Sequence, residues 1–199
     1  MGSVTPSVRP GRSTAGRLQT IVVAVIAVVV IAILAWSAMG GSGDGFTKVE
    51  IAPDTGVTAP TVGSPPTPFS GLTYDGKPAS LADYAGKPLW LTFGGSWCSD
   101  CRVEMPVLVE TYNRYSGEGL SVLGVFINEP AADTGAYAQR VGIPFPIISD
   151  ASGKIASAYR LMGVPTHVFI GRDGLIKEIK IGALAKDEME AAVAAILAE

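Results

Sequence analysis

The chain has only two cysteines, and they stand three apart in Trp97-Cys98-Ser99-Asp100-Cys101. Just before them, residues 89–93 form an apolar run bounded by Gly86-Lys87-Pro88 and Gly94-Gly95. That is the pattern of a buried strand. Just after them, Met105, Leu108, Val109 and Tyr112 recur at helical spacing over residues 102–115. The pair therefore sits where a strand turns into a helix. Cys98 is expected at the helix N-terminus, where unpaired N–H groups and the helix dipole favour a thiolate. Cys101 follows one turn later, close enough for a disulfide. Such a pair supports thiol–disulfide exchange, with Cys98 forming the mixed disulfide and Cys101 resolving it. Trp97 is expected to shield one side. The bland alternatives are a static disulfide or two buried thiols. A bridge closing so short a loop adds little stability, so redox chemistry is the better reading. A four-ligand zinc site is disfavoured, because His167 is the only histidine and there are no further cysteines.

The second strong feature is residues 21–39, which carry no charge and only one polar side chain, Ser37. As a helix they span about 28 Å, close to the ~30 Å of a hydrocarbon core. Arg9, Arg12 and Arg17 precede them, and no acid occurs before residue 40. The positive-inside rule then expects a cytoplasmic tail over residues 1–17, a signal anchor over 18–39, and the remainder outside the cytoplasm of a bacterial cell. A cleaved signal peptide is the rival reading, but the apolar run exceeds the usual ~7–15 residues. A buried core helix would need a less uniformly apolar surface. Residues 40–68, rich in Gly and Pro, read as a linker, with a short strand possible over 46–51. The part beyond residue 39 holds 12 of the 15 basic side chains against all 18 acids, so nucleic acid is not an expected partner.

Residues 69–199 read as one domain. Asp75-Gly76 predicts a hairpin joining 69–73 to 78–81. Strands are expected at 120–127, 145–148, 166–170 and 175–181, the last two joined by Arg172-Asp173-Gly174. Helices are expected at 134–141, 155–161 and 186–197. A parallel strand–helix–strand start ending in a hairpin and helix describes an α/β sandwich with a mixed central sheet flanked by helices.

Two stretches also resemble a known group. The first runs from Gly86-Lys87-Pro88 to Trp97-Cys98, Cys101-Arg102, Glu104-Met105-Pro106. The second is Gly163-Val164-Pro165-Thr166, ahead of Val168-Phe169-Ile170 and Asp173-Gly174. Together they are similar to the TlpA/ResA/CcmG group of membrane-anchored thioredoxin-like proteins, over residues 69–197. The resemblance implies a thioredoxin-like fold, an anchored catalytic domain outside the cytoplasm, and a cis-Pro165 packed against the cysteines. It adds Glu104 to Cys98, Cys101 and Pro165 as a catalytic residue. A carboxylate one turn beyond Cys101 would tune the thiols and relay protons. The plain alternative is a solvated helix-surface Glu. Trp97, Val164 and Thr166 are the candidate substrate contacts. No cofactor or resident metal is expected.

The implied function is reduction of disulfides in exported proteins, such as apocytochrome c or copper-site proteins, with electrons from a membrane thiol donor. A disulfide-forming oxidase and a copper-binding assembly module are the alternatives. A thiol peroxidase would need an activating arginine and an upstream hydroxyl that this motif does not provide. Ser99-Asp100 stands where relatives often carry a proline, and Asp100 places a negative charge beside the thiols. That charge disfavours the thiolate and tilts the pair toward reduction. His167 reads as a core-adjacent histidine before it reads as a copper ligand. Tyr159 and Arg160 are read as partner contacts or a helix covering, and Asn128-Glu129-Pro130 as an ordinary turn in preference to a substrate-side loop.

Overall fold

The computed structural model describes residues 21–32, 50–51 and 59–198. The chain divides into two compact units between Gly43 and Asp44. In the first, residues 21–32 are helical (α1), with every side chain exposed. Among the described residues no helix is long and apolar enough to cross a membrane. The rest of the expected 18–39 anchor, and linker residues 40–49 and 52–58, lie outside the described residues.

The second unit holds two sheets. β1 (Glu50–Ile51), β2 (Phe69–Leu72) and β3 (Pro78–Ser80) form a small antiparallel sheet, which includes the expected hairpin. The main sheet has the order β6-β5-β4-β7-β8, built from β4 (Leu89–Gly94), β5 (Ser121–Ile127), β6 (Ile147–Asp150), β7 (Thr166–Ile170) and β8 (Ile176–Ile181). β4, β5 and β6 run parallel, and β7 and β8 are antiparallel to their neighbours. The helices are α2 (Ser99–Tyr115), α3 (Ala131–Val141), α4 (Lys154–Ala158) and α5 (Lys186–Leu197). This is the α/β sandwich with a mixed sheet that the sequence pattern predicts.

The period-two alternation of strand side chains sorts the core into two layers. Trp90, Val122, Phe126 and Phe169 pack with Met105 and Leu108 of α2, Tyr137 of α3, and Met189 and Val193 of α5. Leu91, Phe93, Leu123, Val125 and Val168 face the other way, against Ile155 and Ala158 of α4. A Cβ on Gly124 would come within 3.1 Å of Ile147 Cγ1, so the glycine lets β6 lie close to β5.

Several boundaries differ from the sequence expectation. β6 begins at Ile147, not residue 145, because Pro146 has no N–H to give the ladder. It runs on to Asp150, opposite Ile127. Phe145 is buried in the core instead. α3 starts at Ala131, since Pro130 is already extended and pre-set to cap it. α4 stops at Ala158, and Arg160 turns to φ 48°. Tyr159 is a core residue and no surface contact. Its hydroxyl donates to the Thr67 carbonyl at 2.9 Å, and its ring packs on Phe69 and Phe93. Burial pushes that phenol far above its ordinary value.

Asp150 is fully buried at the end of β6, and its Oδ2 accepts the Ala156 N–H at 3.0 Å. Burial is the largest influence on it and raises its pKa above the ordinary 3.8, against the lowering effect of α4 backbone N–H groups. A carboxyl raised on folding stabilises the fold most below its unfolded value, and that contribution is lost as pH rises through the folded value. Asp150→Asn should therefore gain stability relative to wild type as pH rises from about 4. Urea unfolding across that range checks this, and a difference that is flat in pH would refute it.

Candidate active site

Cys98 is the N-cap of α2, and its Sγ accepts the Cys101 backbone N–H at 3.2 Å. The two cysteines form a disulfide with Cα atoms 5.3 Å apart. The helix therefore starts at Ser99 and takes in the second cysteine, three residues earlier than the apolar spacing indicates. Cys98 is 7% exposed and Cys101 2%. Cys98 is thus the more accessible of the two, as the attacking role requires, but its sulfur is far less open than an exposed nucleophile. A Cβ on Gly94 would lie 3.3 Å from Cys101 Sγ, so Cys101 rests on the end of β4 where only a glycine leaves full room.

The second stretch arrives from β7. The Val164–Pro165 bond is cis, and the Val164 carbonyl lies 3.8 Å from Cys98 Sγ. Thr166 is buried, and its hydroxyl donates to the Gly163 carbonyl at 2.7 Å. It braces this loop from within, whereas half-buried Val164 borders the sulfur. Trp97 is 52% exposed and donates its indole N–H to the Ile127 carbonyl at 3.1 Å. It forms an apolar wall at the site. Arg102 Nη1 donates to the Ser96 carbonyl at 2.8 Å, so it braces the loop ahead of Cys98.

Glu104 is 4% exposed, which rules out the solvated-surface alternative. Its Oε2 accepts the Leu184 N–H at 3.1 Å and lies 3.4 Å from His167 Nε2. His167 is fully buried, and its Nδ1 is 3.2 Å from both Trp90 Nε1 and Thr92 Oγ1. Sequence reasoning found both residues but not their pairing, because they are brought together only by the register of β4, β7 and α2.

Asn128-Glu129-Pro130 is the turn that the sequence pattern predicts, and the structure adds a role for the Glu129 side chain. Glu129 is 2% exposed, and its Oε2 accepts the Ser96 N–H at 2.6 Å. Its backbone carbonyl accepts the Ser149 hydroxyl, and Asn128 ahead of it takes φ 52°. The turn thus holds the cysteine loop from behind. The available signal was an acid just past the carboxyl end of a buried parallel strand, where sites in open α/β sheets gather.

The AhpC/TSA family model matches residues 60–179. The thiol-disulfide oxidoreductase ResA of Geobacillus kaustophilus is 35% identical over 133 residues, covering 67% of this chain and 76% of that protein. ResA of Bacillus anthracis is 32% identical over 116 residues, covering 58% and 67%. Among solved structures, a thiol:disulfide interchange protein of the thioredoxin family from Chlorobium tepidum TLS is similar at TM-score 0.62 and 28% identity, covering 70% of this chain and 99% of that one. A second Chlorobium tepidum structure, proposed to be a thiol:disulfide interchange protein DsbE, reaches TM-score 0.66 at 25% identity over the same shares.

Replacing Glu129 with Ala removes a charged acceptor and strands the Ser96 N–H. The oxidised protein should lose about 2 kcal/mol of unfolding free energy. Denaturant melts of wild type and variant measure this, and an unchanged midpoint would show that Glu129 does not hold the loop.

Proposed function

The chain belongs to the AhpC/TSA family and is a thiol–disulfide oxidoreductase of the ResA and DsbE type, and from that premise we propose that it works outside the cytoplasm as a membrane-tethered reductant of partner disulfides. The observation that carries this reading is the disulfide itself. It caps α2 beside cis-Pro165, with Cys98 the more accessible sulfur and a buried carboxylate one turn behind Cys101.

In the reduced enzyme, the Cys98 thiolate attacks a substrate disulfide. A mixed disulfide forms and one substrate sulfur leaves as a thiolate. The helix N-terminus and the Cys101 N–H favour the charge on Cys98 before attack. Cys101 then gives its proton to the Glu104 carboxylate and attacks Cys98 Sγ. The enzyme disulfide forms, and the second substrate sulfur leaves. Two electrons pass to the substrate, and a membrane thiol donor restores the dithiol. Val164 and Trp97 border Cys98 and supply the apolar surface that meets the substrate chain.

Exported disulfide proteins, among them apocytochrome c and copper-site proteins, are the proposed substrates. The tether is the segment over residues 18–39, supported by its uncharged composition and by the helical residues 21–32. The oxidase alternative differs only in the direction of electron flow. The copper-module alternative is less favoured, since His167 is buried with Nδ1 facing the Trp90 donor and Nε2 facing Glu104.

Cys101→Ser removes the resolving sulfur, so Cys98 should hold its substrate as a mixed disulfide in an exporting bacterial cell, where the adducts can be identified. Recovering no adduct, while Cys98→Ser/Cys101→Ser gives the same background, would sink this reading. The potential of the purified pair separates the two directions. A value near −120 mV, that of a strong oxidant, would favour the oxidase.

A further inference from the structure

The core carries a polar cluster that the exchange chemistry does not by itself require. Trp90, Thr92 and Gly94 share one face of β4, and His167 is the β7 partner of Thr92. α2 returns along this face from Cys101, which sits over Gly94. One turn further along α2, Glu104 comes opposite the next inward pair of β4 and β7, where its Oε2 meets His167 Nε2 at 3.4 Å. Glu104 is therefore one helical turn from Cys101 and in contact with His167.

The proton on the histidine can be assigned from its neighbours. An indole N–H only donates, so His167 Nδ1 must accept it and be unprotonated. A neutral ring then carries its proton on Nε2, facing Glu104. An imidazolium would set two donors, Trp90 Nε1–H and Nδ1–H, against each other. His167 Nε2 makes no hydrogen bond in the oxidised state although Glu104 Oε2 is only 3.4 Å away, so alignment and not distance falls short, and a reorientation of the Glu104 carboxylate toward the ring N–H makes the bond.

We infer that His167 is a positioning residue which, as a neutral Nε2–H donor locked in that tautomer by Trp90, holds the Glu104 carboxylate ready to take the Cys101 proton. The inference rests on the proposed role of Glu104 in resolution. A neutral donor favours the carboxylate without the fixed charge of a Lys or Arg, which would hold on to the ionised form too firmly for proton transfer. Without His167, a buried carboxylate supported by the Leu184 N–H must be ionised at greater cost.

Other titratable or charged groups bear on the pair. Arg102 on α2 is turned to the Ser96 carbonyl. Tyr137 on α3 feels Glu104, Glu129, Arg102 and Arg140, with burial pushing its phenol up, so it stays neutral. On β8, Lys180 is the register partner of His167 and is paired with Glu178 at 3.0 Å. On α5, Glu188 bonds the Ala185 N–H at 2.9 Å and bears on Lys180. None of them replaces the donor at Nε2.

The test uses the reduced full-length chain and the chromogenic disulfide dithiobis(nitrobenzoate). Cys98 attack releases the first thionitrobenzoate. Attack by Cys101 on the Cys98 mixed disulfide releases the second, its proton passing through Glu104 to solvent. His167→Asn is too short to reach Glu104 and should slow the second release about tenfold at neutral pH. It should leave the first release unchanged. His167→Gln can donate to Glu104 and accept from Trp90, and should restore the second release to within about twofold, far inside the tenfold loss of one donor to a charged group. In a Glu104→Gln background, His167→Asn should change nothing further.

If Glu104→Gln slows the second release but His167→Asn does not, the inference about His167 is overturned and the role of Glu104 survives. If Glu104→Gln has no effect, the role of Glu104 falls and this inference with it. The chain has a single histidine, so nitrogen NMR of the ring supplies a readout that needs no variant. The ring should carry its proton on Nε2, and the Nε2 resonance should shift when the disulfide is reduced. Protonation at Nδ1 would overturn the proposal.

Discussion

A methyl group at position 94 would stand 3.3 Å from Cys101 Sγ, closer than side chains ordinarily pack, so the glycine there lets the first turn of α2 settle on the end of β4. That contact sets the height of the helix over the sheet. With Cys101 fixed above Gly94, the next inward residue of α2, Glu104, meets His167 of β7. The turn after that places Leu108 in the layer with Trp90 and Phe169. Cys98 is fixed by the same contact, since it caps the helix that Cys101 anchors. The redox pair, the buried acid and the histidine are consequences of one register between a strand and the helix that follows it.

The loop carrying Ser96 and Trp97 is constrained from the opposite side. Glu129 takes the Ser96 N–H, Ile127 takes the Trp97 indole, and Arg102 takes the Ser96 carbonyl. Two of the three contacts come from the carboxyl end of β5, the parallel neighbour of β4. β7 brings in the cis-Pro165 loop from the antiparallel side. A mixed sheet is what makes this possible. The parallel pair puts two strand ends beside the cysteines, and the antiparallel strand contributes its beginning.

Much of this was legible in the sequence, because the signals were local. The apolar run at 89–93, the helical spacing after it and the Asp-Gly turns depend on neighbours a few residues apart, and these elements are all present, although α2 begins three residues before the apolar spacing does. Resemblance, and not spacing, supplied cis-Pro165 and the importance of Glu104. What escaped was long-range. The turn at Asn128-Glu129-Pro130 is local and legible, but nothing within the chain segment announces that the Glu129 side chain crosses to residue 96. His167 and Glu104 were each singled out, but their meeting depends on a register between β7 and α2 that no local pattern encodes. β6 starts two residues later than the apolar run through Phe145 indicates, because Pro146 cannot donate to the ladder.

The direction of electron flow is set by how the reduced pair is stabilised. The helix N-terminus and the Cys101 N–H lower the energy of a Cys98 thiolate, and a stabilised reduced state makes a disulfide more oxidising. Carboxylates act the other way, and they differ in weight. Asp100 is exposed, so solvent and salt screen it from the sulfurs. Glu104 is buried one turn from Cys101, where the lower dielectric strengthens its field. The reductive reading therefore depends more on Glu104 than on Asp100. It also explains why a neutral histidine suits position 167. A cation there would offset the negative field of Glu104 at Cys101, and with it the influence that opposes the helix dipole.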